Sequence, residues 1–117
     1  MGSILNSVKK QLGIMEEYTH FDDVLIIHIN SVLMILTQLG VGPEEGFIIK
    51  DATTTWTEYI PDVIKCQAVK SYVYLKVRLL FDPPSSSALI ESMNRLISEL
   101  EYRLNIEAEY QSGGDEV

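Results

Sequence analysis

The sequence predicts an all-α fold, and three observations carry that prediction. Apolar residues recur at helical spacing in four stretches of the chain. Helix-ending residues fall between them: Gly13, then Gly40 with Gly42-Pro43, then Pro83-Pro84. The stretch from about Asp62 to Phe81 is apolar almost all the way round, more than a chain of this size buries by itself. The expected architecture is a small four-helix bundle with a short irregular or β-hairpin-like insertion between the second and third helices. A flexible acidic C-terminal tail follows. Residues 1–106 form the expected helical domain and residues 107–117 the tail.

The first helix is short, about Ser3 to Leu12, with Ile4, Val8 and Leu12 at helical spacing and Gly13 as its stop. A polar loop from Glu16 to His20 leads to the second helix. There Asp22 is the expected N-cap, and Phe21 is placed to staple onto Ile26. Leu25, Ile29, Val32, Leu33, Leu36 and Leu39 form one stripe of this helix, while Asn30, Ser31, Thr37 and Gln38 collect opposite. Val24 to Pro43 holds no Lys, Arg, Asp or Glu and has the length of a membrane span. Its polar stripe would be costly against lipid and is what a core helix needs, so a soluble core helix is expected.

Glu44 to Pro61 is ambiguous. Phe47 to Lys50 fits a short strand, and Asp51 to Thr55 a turn or N-cap cluster. Trp56, Tyr59 and Ile60 fold back on the core as a single helical turn or as a hairpin arm. The β-branched threonines disfavour a long helix here. Trp56, the only tryptophan, reads as an anchor for this loop rather than a binding platform.

The third helix starts at Pro61-Asp62 and ends at Phe81, because Asp82-Pro83-Pro84 forbids continuation. Ser86 or Ser87 caps the fourth, where Leu89, Met93, Leu96, Ile97, Leu100 and Leu104 make an apolar arc. Glu91 with Arg95 and Glu99 with Arg103 are favourable i,i+4 pairs on its outside. From about Glu107 no periodicity remains, and the free protein is expected to be disordered there.

The third helix also supplies candidate interface residues. Ile64, Ala68, Tyr72, Leu75 and Leu79 define its buried face on a projection, extended by Val69, Val73 and Leu80. The opposite side, with Lys70, Tyr74, Val77, Arg78 and Phe81, is expected to meet solvent. An aromatic pair flanked by Lys and Arg has the composition of an interface, and equally of a helix central in its bundle. Lys76 projects into the apolar arc, where it snorkels or pairs with a carboxylate of another helix or subunit. Tyr102 sits on the charged side of the fourth helix, and Ile27 and Met34 interrupt the polar stripe of the second. With Glu107, Glu109 and Tyr110 of the tail, these complete the candidate set. Their spread over three helices favours lateral packing into an oligomer.

Composition excludes several functions. At 117 residues the chain makes one domain and buries roughly 65% of its unfolded surface. The net charge is −8, which argues against gripping nucleic acid. Four acids (Glu107, Glu109, Asp115, Glu116) lie in the last eleven residues without a basic partner, leaving nine basic against thirteen acidic before them. Cys66 is the only cysteine, so no internal disulfide forms and a reducing compartment is expected. It reads as a small buried hydrophobe rather than a nucleophile. Lys9 and Lys10 break the first apolar run and no small-residue cleavage site follows, so no secretory signal is read. His20 and His28 have no metal-ligand spacing with Cys66, and Gly40, Gly42 and Gly46 fit no phosphate-binding loop. No cofactor, metal or enzymatic activity is expected.

Three segments carry a resemblance to a known family: Ile29 to Pro43 (INSVLMILTQLGVGP), Thr55 to Pro61 (TWTEYIP) and Ala68 to Pro84 (AVKSYVYLKVRLLFDPP). In these and in the order of its parts, roughly from Ile4 to Glu109, the chain resembles the bacteriophage head–tail connector family. These are the small α-helical adaptors beneath the portal of long-tailed phages, and the tyrosine-rich helix ending in Phe81-Asp82-Pro83-Pro84 is the most telling match. The resemblance implies a virion protein, made in the bacterial cytoplasm, that forms a homo-oligomeric ring, usually a dodecamer. Such a ring docks on the portal protein after genome packaging, extends the DNA channel, and offers a platform to a stopper or tail-side connector. DNA would pass without sequence-specific binding, and no membrane is involved. No motif carries individual contact residues over. Two other classes remain beside it. One is a small helical adaptor or regulatory module acting as monomer or dimer, separated by its oligomeric state on the target. The other is a helix-turn-helix DNA binder, disfavoured because no helix has a basic face.

Overall fold

The computed structural model describes residues 2–115, with side chains through residue 109. Five helices follow one another: α1 (Ile4–Leu12), α2 (Asp22–Gln38), α3 (Trp56–Tyr59), α4 (Val63–Phe81) and α5 (Ser87–Asp115). The third and fourth helices expected from sequence are α4 and α5. α3 is the single turn foreseen as one option for Trp56 to Ile60. Its Thr55 hydroxyl accepts from the Glu58 N–H while Glu58 accepts from the Thr55 N–H, a capping box that fixes so short a helix.

The helix ends follow local chemistry. Ser3 caps α1 by accepting from the Asn6 N–H at 3.1 Å, and the helix stops at Gly13 with the Ile14 N–H returning to the Lys9 carbonyl. α2 closes likewise, with the Val41 N–H on the Leu36 carbonyl at 2.9 Å and both side chains buried. Gly40 sits at φ 88° in that turn, and a Cβ there would stand 2.9 Å from the Ala108 Cβ, so only glycine fits. Asp62 caps α4 through the Ile64 and Lys65 N–H groups, and Ser86 caps α5 through the Leu89 N–H. Asp22 differs from expectation: Phe21 occupies the cap position of α2 without a side-chain bond, and Asp22 is the first helical residue. Its carboxylate is turned to Lys9 instead.

α4 lies between α2 and α5, and α1 packs across α2 and α4. The stripe expected on α2 is the centre of the core, with Leu25, Ile29, Val32, Leu33 and Leu36 fully buried. The projection of α4 needs correction. Cys66, Val69, Tyr72, Val73 and Val77 are buried, so Val77 faces the core rather than solvent. Ile64, on the expected buried face, is 85% exposed, and Leu80 is exposed as well. On a helix apolar all round, the partner helices choose the inward face, because the side chains alone define no axis. On α5 only part of the expected arc is buried: Met93, Ile97 and Leu104, while Leu89 and Leu96 stand out.

The segment 44–55 contains no named strand; the single bridge among the described residues joins Ser3 to Thr55. Phe47 to Lys50 is not a strand. It is held as an irregular segment by Asn30, whose amide donates to the Ile49 carbonyl at 3.0 Å and accepts the Ile49 N–H at 2.8 Å. Asp51 accepts from the Thr53 N–H and hydroxyl, making the turn expected there. α5 continues past residue 106 to Asp115, so the boundary expected there falls inside a helix. Asn105 donates to the Leu39 carbonyl, and Ala108 rests on Gly40, which docks this part of α5 on the end of α2. Glu116 and Val117 lie outside the described residues.

Burial separates two leucine-sized side chains that the sequence treats alike. Leu36→Ala is expected to lower the unfolding free energy by about 2–5 kcal/mol, and Ile64→Ala by about 0.5 kcal/mol or less. Chemical denaturation of both variants measures this; equal losses would contradict the packing of α4.

Candidate interaction surfaces

Lys9, a residue sequence reasoning passed over, is buried beneath the loop that joins α1 to α2. Its ammonium donates to the Glu16 carbonyl at 2.9 Å and lies 2.8 Å from Asp22 Oδ1. That ion pair is close but off the hydrogen-bond line, so Oδ1 is buried with charge as its partner. Removing either member would leave an uncompensated charge, a loss of about 3–5 kcal/mol for buried pairs. The signal available in the sequence was Lys9 at helical spacing among Leu5, Val8 and Leu12, but the carboxylate that accepts it lies thirteen residues away.

The side of α4 carrying Lys70, Tyr74, Arg78 and Phe81 is half-covered by the protein itself. Trp56 is buried, with its indole N–H donating to the Ser7 hydroxyl at 2.7 Å, which anchors α3 to α1 as expected. The Lys70 ammonium lies 5.8 Å from the centre of the Trp56 ring, within cation–π range. Arg78 donates to the Tyr74 hydroxyl at 3.2 Å and to the Asp82 carbonyl at 2.7 Å, closing the end of α4. Phe81 meets Phe21 edge to face with ring centres 5.1 Å apart, and Phe21 also touches His20 and Tyr18. Phe21 thus ties the α1–α2 loop to α4. Lys76 is half-buried and has no ion-pair partner among the described residues.

The remaining candidates are exposed: Ile27, Met34 and Tyr102 by side chain, and Glu107 and Glu109 on the last turns of α5. The Tyr110 side chain lies outside the described residues. Ile27 and Met34 line an open groove of about 740 Å³ between α2 and the 45–48 segment. The i,i+4 pairs of α5 form as expected, at 2.8 Å for Arg103 with Glu99 and a loose 3.9 Å for Arg95 with Glu91. Both are largely exposed and contribute little.

Two tyrosines and the cysteine inside the bundle are tuned toward their neutral forms. Burial, reinforced by the Glu101 carboxylate that accepts the Tyr72 hydroxyl at 2.6 Å, pushes the Tyr72 phenol up. Burial does the same to Tyr59, whose hydroxyl finds no hydrogen-bond partner among the described residues and whose ring packs on Phe47 at 4.8 Å. Burial also raises the Cys66 thiol, which disfavours the thiolate and fits the reading as a hydrophobe. Among the described residues no group of three or more His, Cys, Asp or Glu is placed to hold a metal ion, and no helix is long and apolar enough to cross a membrane.

A family model described as phage connector protein fits residues 4–111, nearly the whole chain. No curated protein and no solved structure matches.

The Tyr72–Glu101 bond predicts a response to alkali. The folded protein holds phenol protons that the unfolded chain releases near pH ~10. That stabilisation is present below the unfolded value and is lost as pH rises above it toward the raised folded values. Unfolding free energy is therefore expected to fall above about pH 10, and less steeply in Tyr72→Phe, which also loses about 1.5–3 kcal/mol at neutral pH. Urea denaturation across that range tests it; an unchanged slope in the variant would exclude Tyr72 as a source.

Proposed function

The chain belongs to the phage connector protein family, and from that premise we propose that its copies form a ring beneath the portal, joining phage head to tail. It is a structural phage protein of the head–tail junction and a component of the virion, and assembly with other phage head and tail proteins goes with that role. The ring would extend the DNA channel after packaging, with the portal protein above and a stopper or tail-side connector below. The protein would be made in the host cytoplasm before assembly.

The observation that carries this reading is the match over residues 4–111, supported by apolar side chains left exposed on three helices. Ile27 and Met34 on α2, Ile64 and Leu80 on α4, and Leu89, Leu96 and Ile106 on α5 exceed what a small subunit needs to fold. Ring neighbours would cover such surface. A net charge of −8 suits a channel that passes DNA without holding it, since phosphates meet few basic partners. The acidic segment 107–117 is the proposed contact to the portal or to an adjacent subunit, to which Glu107 and Glu109 bring exposed charge.

Electron microscopy of particles of the encoding phage, with the protein located by a specific antibody, tests the proposal. A ring stacked on the portal between capsid and tail is the expected result. A protein absent from every particle would overturn it and favour a soluble adaptor.

A further inference from the structure

The outer side of α2 is prepared for contact with protein. Ile27 and Met34 are 63% and 60% exposed, and Ile48 of the facing segment is 60% exposed; with Phe47 they line the groove. Its polar side chains are already satisfied from within. Ser31 donates to the Ile27 carbonyl at 3.0 Å, Thr37 to the Leu33 carbonyl at 3.1 Å, and both ends of the Asn30 amide are engaged by Ile49. Apart from the second N–H of the Asn30 amide, covering them strips no unpaired donor of water, so desolvation here costs little. No Asp, Glu, Lys or Arg occurs between Val24 and Pro43, and Glu45 is the single charged residue of the lining. Such a groove fits an apolar ridge on a helix.

The same chain carries that ridge. Leu89 and Leu96 are about half exposed on α5, and they are seven residues apart, as Ile27 and Met34 are on α2. Each pair therefore spans about 10.5 Å of helix, so two helices laid side by side bring both steps into register. Arg95, beside Leu96 and only loosely paired with Glu91, supplies the unlike charge for Glu45 at the rim. α4 lies between α2 and α5, which places groove and ridge on the two outer helices of the layer. Two different complementary patches make a head-to-tail contact, which does not stop at a dimer and closes into a ring where the rotation between copies closes.

We infer that the α2 groove of one copy receives the Leu89–Leu96 ridge of α5 from the next copy. This rests on the connector reading and adds to it which faces meet.

A disulfide trap tests the pairing. The double variant Met34→Cys/Leu96→Cys is introduced into the encoding phage, and purified particles are oxidised and run on a denaturing gel without reductant. Cys66, being buried, stays out of the reaction. The expected result is a ladder of covalent multimers, with each single variant running as monomer. Dimers from Met34→Cys alone would show a two-fold contact and overturn the inference, as would the absence of a ladder from particles that contain the protein. Both outcomes leave the connector reading standing. A protein missing from particles in the unmodified phage overturns that reading, and the inference with it. A second variant, Met34→Asp, is expected to enter particles at least roughly tenfold less well than wild type, with unchanged thermal unfolding of the free protein. Normal incorporation would overturn the inference.

Discussion

The structure depends on the burial of α4, a helix with apolar residues on every side. Such a helix is stable in water only if other elements cover it on more than one flank. α2 takes one side and α5 another, meeting Val69, Tyr72, Val73 and Val77, all fully buried. α1 and the indole of Trp56 close over the flank that carries Lys70, and Phe21 reaches Phe81 at its C-terminal end. Every other element is arranged around this one, and the connections exist to bring those covers into place. The demand also exceeds the supply: α2 and α5 both cover α4, and neither buries all of its own apolar surface.

The non-helical connections are held by single polar contacts rather than by a sheet. Lys9 secures the α1–α2 loop through the Glu16 carbonyl and the Asp22 carboxylate. Asn30 plays the role of a neighbouring strand for Ile49, satisfying both its N–H and its carbonyl. Trp56 reaches Ser7, and the Thr54 carbonyl accepts the Ile4 N–H, so the start of the chain and the 54–56 segment stabilise each other. Each contact satisfies a polar group that the packing would otherwise orphan, which is why one side chain suffices to set the path of a whole loop.

Function in such a protein resides in surface. Tyr59, Tyr72 and Cys66, whose acidity burial weakens, sit in the packed interior and are held neutral, an arrangement that serves packing. The exposed apolar side chains instead lie on α2, α4 and α5, with Ile27 and Met34, Ile64 and Leu80, and Leu89 and Leu96 among them. Exposed apolar surface of this kind marks sites of contact with other proteins, and family membership makes the chain a structural phage protein of the head–tail junction.

The sequence by itself determined the helical class, the ends of the elements and the core stripe of α2, because caps, glycine turns and the 3.6-residue period act within a few residues of one another. Gly13, Gly40, Asp62, Ser86 and Pro83-Pro84 mark their boundaries in the folded protein where the sequence marks them. The family was legible too, in the Ile29–Pro43, Thr55–Pro61 and Ala68–Pro84 segments. Tertiary structure alone decided what depends on neighbours. It turned Val77 inward and Ile64 outward on α4, since a helix apolar all round has no preferred face until α2 and α5 select one. It gave Asp22 to Lys9 instead of to a cap, and the Phe47–Lys50 segment to Asn30 instead of to a strand. It carried α5 beyond residue 106, where Ala108 settles on the one position of α2, Gly40, that has no side chain to meet it. Each of these outcomes joins residues distant in sequence, and a local pattern holds no record of the partner that packing will supply.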